Sequence, residues 1–314
     1  MPPTVGILGT RSAREAQRVR DELRRRGARV LGAELDAFPA LHRGTLDPAG
    51  SRVGPVDLAA APVWLLRQLD VPRRLDPALR PADLARLPDD LEEPLADDRA
   101  VRCWVESLLR SLSDPRLTPT RLVNDLEATR LHARKPLMAA RLQRAQIPVP
   151  ESLATNDPAA AGRFVARCGG EAVVKAAAGG GTVRSARELP AGPRAGPLLF
   201  QRRIRGTSLR TYVVADRVVA CAEVVHGDVV DWREDVRELR RRDCDPSLHD
   251  LLVRACRTLG MEYAGIDVEL DGAGRPWVLD VNPAPLFAAC ERATGTDVAG
   301  PLAERLLALA EAAS

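Results

Sequence analysis

Two side chains in this chain stand out by type alone. Of 46 Lys plus Arg residues in 314, only Lys135 and Lys175 are lysine. Arginine serves most surface positions equally well, but it cannot copy the compact point charge and thin stem that lysine brings to a tight phosphate site. Lys135 directly precedes Pro136, and proline favours the first turn of a helix, where backbone N–H groups collect anions. Lys175 ends the apolar run Ala172-Val173-Val174 and leads into a tract of alanine and then Gly179, Gly180 and Gly181. A strand, a lysine and a glycine loop let a backbone approach phosphate oxygens. The competing reading is a pair of surface lysines with no task.

A second constellation lies near the C-terminus. Ala264 to Leu270 and Pro276 to Val281 flank Asp271-Gly272-Ala273-Gly274, a hairpin signal. Side chains alternate along a strand, so Asp280 and Asn282 share a face, and Asp267 lies across from Leu279 or from Asp280 according to register. In the second register Asp267, Asp280 and Asn282 converge. Two carboxylates and an amide oxygen are hard ligands of the kind Mg²⁺ takes while it also binds a nucleotide phosphate. Opposed carboxylates repel, and a cation would rationalise them. The competing reading is a solvated hairpin face. Glu269 shares the face of Asp267 but is left outside the metal set.

The elements that must position these groups fall into three stretches. Val5 to Gly9, a helix over 12–26 and a strand from Val30 to Leu35 make a β-α-β opening typical of an α/β domain. Gly6 and Gly9 do not complete a dinucleotide fingerprint. Val56 to Leu66 adds a strand in which Trp64 packs, residues 70–99 read as a Pro- and Asp-rich surface crossing, and 100–112 is an amphipathic helix. A second stretch holds helices over 136–145 and 158–168, the 172–175 strand and a strand at Leu198 to Gln201. The third is strand-rich, with Arg210 to Ala215, Val218 to Val225, a helix over 246–260 and the final hairpin. No internal repeat is visible.

Composition excludes several functions. Hydrophobic residues make up 45% and charged residues 28%, as in an ordinary globular protein. Aromatics are 3% and the net charge is +3, which argues against base stacking on nucleic acid. Six dispersed cysteines without a C-x-x-C pair and four dispersed histidines argue against structural zinc and a disulfide framework, and suit a cytoplasmic protein with reduced thiols. No signal peptide or membrane span is legible. Arg240 to Arg242 is a basic cluster that either meets an acidic partner or forms a solvated face.

Taken in order, Lys135, Lys175 with its glycine loop, Gly265-Ile266-Asp267 and Val278-Leu279-Asp280-Val281-Asn282-Pro283 resemble the ATP-grasp superfamily across about residues 120 to 310. Within it the chain looks like the ribosomal-S6-glutamate-ligase-like (RimK-like) members. It looks most like the ligases that crosslink microviridins and related graspetides, through Pro148-Val149-Pro150, Thr155-Asn156-Asp157-Pro158, Phe200-Gln201, Ser208-Leu209-Arg210 and Asp231-Trp232-Arg233. The sequence departs from the family in Asp280, where Glu is commoner, in Ser208, where many relatives carry an acid, and in Pro-Ala-Pro-Leu-Phe after Asn282.

The resemblance implies an α+β ATP-grasp fold whose two subdomains clasp ATP, preceded by an N-terminal α/β pre-ATP-grasp domain. The implied boundaries are 1–125 for the N-terminal substrate domain, 126–200 for the lid subdomain and 201–314 for the subdomain with the metal site. Lys135 and Lys175 would hold phosphates and Gly179, Gly180 and Gly181 would cover the transferring one. Gln201, Arg202 and Arg203 would meet the adenine, while Asp267, Asp280 and Asn282 would hold one or two Mg²⁺ ions, with Mn²⁺ a substitute. Arg210 and Arg233 would act as the catalytic cations. The implied activity is ADP-forming ligation of a carboxylate to an amine or hydroxyl through an acylphosphate, on a peptide. Other readings keep the site but change the use: a ligase of small amino acids or dipeptides, a small-metabolite kinase, or a non-catalytic nucleotide-binding protein. No nucleic-acid or membrane partner is expected, and a homo-oligomer is left open.

Overall fold

The computed structural model describes residues 2–9, 13–35, 44–47, 50–67, 98–114, 116–118, 120–177, 182–188 and 196–313. These form two units, residues 1–126 with 299–314 and residues 127–298. The glycines at 179–181 and the expected surface crossing over 70–97 lie outside the described residues.

The first unit is built on a parallel sheet of order β2-β1-β6-β7: β1 Thr4–Leu8, β2 Arg29–Ala33, β6 Val63–Leu66 and β7 Arg121–Val123. The Arg14–Arg25 helix makes the β1-to-β2 crossover, and Val19 and Leu23 on its apolar stripe are fully buried. The stretch from Val56 to Leu66, expected to be one strand, is divided by a 3₁₀ turn over Leu58–Ala60 into β6 and β5 Val56–Asp57, and β5 closes a small antiparallel sheet with β3 Gly44–Asp47 and β4 Gly50–Val53. Val105, Leu108, Leu109 and Leu112 of the Asp98–Ser113 helix join Leu8, Trp64 and Leu122 in the core. Trp64 is fully buried and its indole N–H donates to Leu58 O at 2.8 Å. Gly6 pairs with Trp64 across the sheet, and a Cβ there would overlap the indole ring. That glycine is thus explained by packing rather than by a nucleotide. The Ala299–Ala312 helix, expected with the last subdomain, packs on the Arg14–Arg25 helix in this unit.

The second unit holds two antiparallel sheets. The smaller has order β10-β9-β11-β8: β8 Ser152–Thr155, β9 Ala172–Ala176, β10 Arg184–Ser185 and β11 Leu198–Arg202. The Pro158–Arg167 helix covers it, capped by Asp157, whose carboxylate accepts from Ala159 N at 2.8 Å. Phe164, Val174 and Phe200 fill the space between.

The larger sheet has order β14-β13-β12-β15-β16: β12 Gly206–Val214, β13 Arg217–His226, β14 Val236–Arg241, β15 Tyr263–Asp271 and β16 Pro276–Asn282. Strand alternation divides its residues by chemistry. Leu209, Val213, Ile266, Val268 and Val281 join the core with Leu252 and Cys256 of the Pro246–Thr258 helix. Ser208, Arg210, Asp267, Glu269, Asp280 and Asn282 line a cavity. β14, read as loop from sequence, is an edge strand whose side chains are almost all exposed. No helix among the described residues is long and apolar enough to cross a membrane.

Leu252 is fully buried at the centre of this core. Leu252→Ala should therefore cost about 2–5 kcal/mol, seen as a lower urea midpoint with an unchanged slope.

Candidate active site

The cavity has a volume of about 990 Å³ and draws its walls from both sheets of the second unit. Its floor is a pair of opposed carboxylates. Asp267 on β15 faces Asp280 on β16, with a bulge immediately after Asp267. Arg210 on β12 faces Asp267 from the other side, and its Nη1 donates to Asp267 Oδ1 at 2.6 Å. Lys135 Nζ donates to Asp280 Oδ1 at 2.7 Å. Each carboxylate is thus met by one cation.

These pairs set the protonation of the site. Burial alone would raise the Asp280 pKa, but Lys135, Lys175 and His132 outweigh it and hold the carboxyl below its ordinary value. Burial also opposes the charge of Arg210, and Asp267 and Tyr212 more than offset it, so that its pKa rises. Arg210 lies over the Tyr212 ring at 5.3 Å, and Tyr212 is anchored by its hydroxyl donating to Leu286 O at 2.7 Å. Burial pushes the Tyr212 phenol up to about 12.

Lys135 opens the Lys135–Arg144 helix as expected, but it is buried and reaches across to Asp280 rather than over its own helix N-terminus. Lys175 on β9 donates to Gln201 Oε1 at 3.1 Å and to Leu279 O at 3.4 Å. Burial lowers its pKa, with Asp280 as the largest opposing influence. Gln201 is itself buried and donates to Ser152 Oγ at 3.1 Å. Arg202 pairs with Glu151 and Arg203 with Asp228, so their side chains are engaged outside the cavity floor while their positions line its wall. Asn282 Oδ1 accepts from Ala284 N at 2.9 Å.

Arg233 is held by its neighbour. Its Nε donates to Asp231 Oδ1 at 2.7 Å and its Nη2 to Oδ2 at 2.5 Å. Asp231 is buried and also accepts from Val183 N at 3.1 Å. That bond joins the segment after the glycine tract to the connection between β13 and β14. Arg240 and Arg242, a free basic cluster by sequence, pair with Glu238 and Glu223.

Four lining residues had escaped notice. His132 faces the floor, and burial lowers its pKa. Tyr212, His226 and Cys290 also line the cavity. Tyr212 could have been found by counting two residues on from Arg210. His226 lies on a different strand, and no spacing signals it. Among the described residues no three His, Cys, Asp or Glu side chains form a metal cage. Two Asp and an Asn suit a hard cation that keeps part of its shell from water or phosphate.

Comparisons with known proteins bear on the fold. Residues 198–306 match the family model of the RimK-like ATP-grasp domain. The fold is that of the ATP-grasp proteins. The ATP-grasp ligase PsnB, in complex with minimal precursor, Mg and ADP, superposes with TM-score 0.76 at 28% identity, covering 98% of this chain and 97% of PsnB. The macrocyclase MdnC from Microcystis aeruginosa MRC, bound with precursor peptide MdnA, gives 0.73 at 16% identity over 96% and 99% of the two chains, a likeness of fold. A probable alpha-L-glutamate ligase of Xanthomonas campestris pv. campestris (strain B100) is 36% identical over 104 residues, 32% of this chain. The match spans about 35% of that relative's length.

The lowered Asp280 pKa has a definite sign in stability. Its contribution is complete above the unfolded carboxyl value of about 3.9 and is lost as pH falls through the native one. Between about pH 5 and pH 3, the fall in urea unfolding free energy should be smaller for Asp280→Asn than for the wild type. Equal slopes would mean that Lys135 and Lys175 do not hold this carboxylate ionised.

Proposed function

We propose that this chain is an ADP-forming carboxylate ligase that makes an amide or ester bond on a peptide through an acylphosphate. The observation that carries the reading is the floor of the cavity. Two opposed carboxylates are each ion-paired to a cation, and Lys175 and Arg233 line the same cavity. A trianionic phosphate group and its cation complement this charge pattern better than a neutral ligand does.

In this reading ATP lies with its adenine against the backbone of 200–203, beside Gln201, Arg202 and Arg203. Lys135 and Lys175 share their charge with the phosphates, and the loop of Gly179, Gly180 and Gly181 covers the transferring group. Asp267, Asp280 and Asn282 would hold one or two Mg²⁺ ions, which would supply charge neutralisation between phosphate oxygens. The substrate carboxylate attacks the terminal phosphorus, forming a C–O–P linkage and releasing ADP. An amine or hydroxyl then attacks the acyl carbon, and phosphate departs with the bonding electron pair. Arg210, braced by Asp267 and Tyr212, presents a fixed guanidinium to the carboxylate and then to the acylphosphate. Arg233, forked onto Asp231, offers a second positive charge to the oxyanion. No side-chain nucleophile is needed.

A peptide is favoured over a free amino acid by the rim. Leu286 is 70% exposed and Val236 43% exposed, and Arg203, Arg205 and Arg240 line the same cavity. Exposed apolar groups at the rim suit the side chains of a peptide, and the arginines, each paired with an acid of this chain, could exchange that partner for an acidic side chain of the substrate. PsnB and MdnC, solved with precursor peptides, support the same choice.

The test is ADP and phosphate release with Mg²⁺-ATP and hydroxylamine, across acidic peptides and free amino acids. A peptide hydroxamate, or a peptide product lighter by one water, is the expected result. Hydroxamates of free amino acids alone would replace the peptide with a small substrate. Lys175→Ala and Asp280→Ala should each lower turnover by at least about a hundredfold, and near-normal activity in either would overturn the site.

A further inference from the structure

The ligase chemistry makes no use of a pair of thiols on the large sheet. Cys221 on β13 is 4% exposed and belongs to the core formed with Leu248, Leu252 and Cys256 of the Pro246–Thr258 helix. Cys244 lies between β14 and that helix, is half-buried and packs against the same core. Neither lines the cavity.

The chain is pinned on both sides of Cys244. Two residues before it, Arg242 N donates to Cys221 O at 3.0 Å, and the Arg242 guanidinium donates to Glu223 Oε2 at 3.1 Å. One residue after it, Asp245 caps the helix by accepting from Leu248 N at 2.9 Å. Between these two holds Cys244 meets β13, and the Cys221 thiol donates to the Cys244 sulfur. Residues 242–245 belong to neither strand nor helix, so a shift of that short loop brings the sulfurs to the roughly 2 Å of an S–S bond.

The contact gives the two thiols different roles. Donation from Cys221 lowers the Cys244 pKa, against burial and the charge of Asp245. Its bond to Cys244 and its own burial hold Cys221 as the thiol, with Arg242 acting the other way. Cys244 also stands just before a helix N-terminus, where a thiolate is favoured. A partly exposed thiolate beside a buried thiol is the arrangement of an attacking and a resolving cysteine.

We propose that Cys221 and Cys244 form a peroxide-sensitive dithiol that closes to a reversible disulfide and staples β13 to the start of the Pro246–Thr258 helix. The Cys244 thiolate attacks one oxygen of hydrogen peroxide. The O–O bond breaks, and hydroxide leaves and becomes water with the proton that the Cys244 thiol gave up. The Cys221 sulfur then attacks the sulfenic sulfur of Cys244, the S–O bond breaks, and the oxygen departs as a second water with the Cys221 proton. The two sulfurs lose two electrons in total, and one peroxide is reduced to two waters. The site stands apart from the ligase reading and does not depend on it. In a compartment that keeps thiols reduced, disulfides of this kind are transient and sense oxidant.

The test is non-reducing peptide mapping of the full chain after brief treatment with hydrogen peroxide and alkylation of the remaining thiols. The expected product is a peptide pair joined through Cys221 and Cys244, two hydrogens lighter than the reduced peptides and split by dithiothreitol. The oxidised protein should unfold at a higher urea midpoint than the reduced one, since the cross-link restricts the unfolded chain. Cys244→Ala should abolish both effects. In Cys221→Ala, dimedone should label Cys244 as a sulfenic acid left without a resolving partner. The wild-type map needs no variant, so it decides the matter even if Cys221→Ala does not fold. Peptides left unlinked in the wild type, or either cysteine linked to Cys256 instead, overturn the pair. A joined pair with no rise in the urea midpoint overturns the staple.

Discussion

The structure depends on one electrostatic constraint, two carboxylates opposed on neighbouring strands. Asp267 and Asp280 are Cα partners in the hairpin, an arrangement that repels when both are ionised. Arg210 and Lys135 resolve it from opposite sides, and they come from parts of the chain 75 residues apart by their numbering. Much of the second unit serves to bring these four groups together. β12 must run beside β15 to deliver Arg210, and the Lys135–Arg144 helix must lie where Lys135 can span to β16. The neighbouring core residues Ile266, Val281 and Leu252 hold the sheet in this register, because a slip of a strand by one residue would turn its charge into the core.

Some of this was legible in the sequence. Lys135 and Lys175 stood out because the background is arginine, and Asp267, Asp280 and Asn282 because strand alternation with a Gly-containing turn leaves few registers. The hairpin register is the one that opposes Asp267 to Asp280. What was not legible depends on tertiary placement. β14 reads Val-Arg-Glu-Leu-Arg-Arg, too polar to be recognised as a strand by pattern, because as an edge it buries almost nothing. The Pro136 signal puts the Lys135 ammonium near its own helix N-terminus, but that end of the helix dipole is positive and repels a cation, and the ammonium instead meets a carboxylate from a strand distant in sequence. The stretch from Val56 to Leu66 reads as one strand because it is largely apolar, and the single 3₁₀ turn over Leu58–Ala60, capped by Asp57, that divides it into β5 and β6 contains no Gly or Pro.

Glu269 shows the limit of the pattern method. Alternation correctly put it on the face of Asp267, yet could not say that Ser208 and His226 would meet it or that it would be buried. Spacing tells which side of a sheet a residue occupies. Whether the residue then meets water, a partner or a ligand depends on strands that pair only after the chain has returned on itself. The same holds for Arg233, whose orientation is set by Asp231 two positions before it, itself held by the backbone N–H of Val183, 48 residues before Asp231.

The Ala299–Ala312 helix belongs to the first unit although it follows the second in sequence. The second unit is therefore an insertion, a continuous stretch framed by two pieces of its neighbour. During synthesis the sheet of the first unit emerges before the second unit but lacks one of its helices until the second unit has been made. The inserted unit has all its own segments before that moment. A chain built this way orders its own assembly, with the part that carries the carboxylates able to settle first and the flanking sheet closed only afterwards.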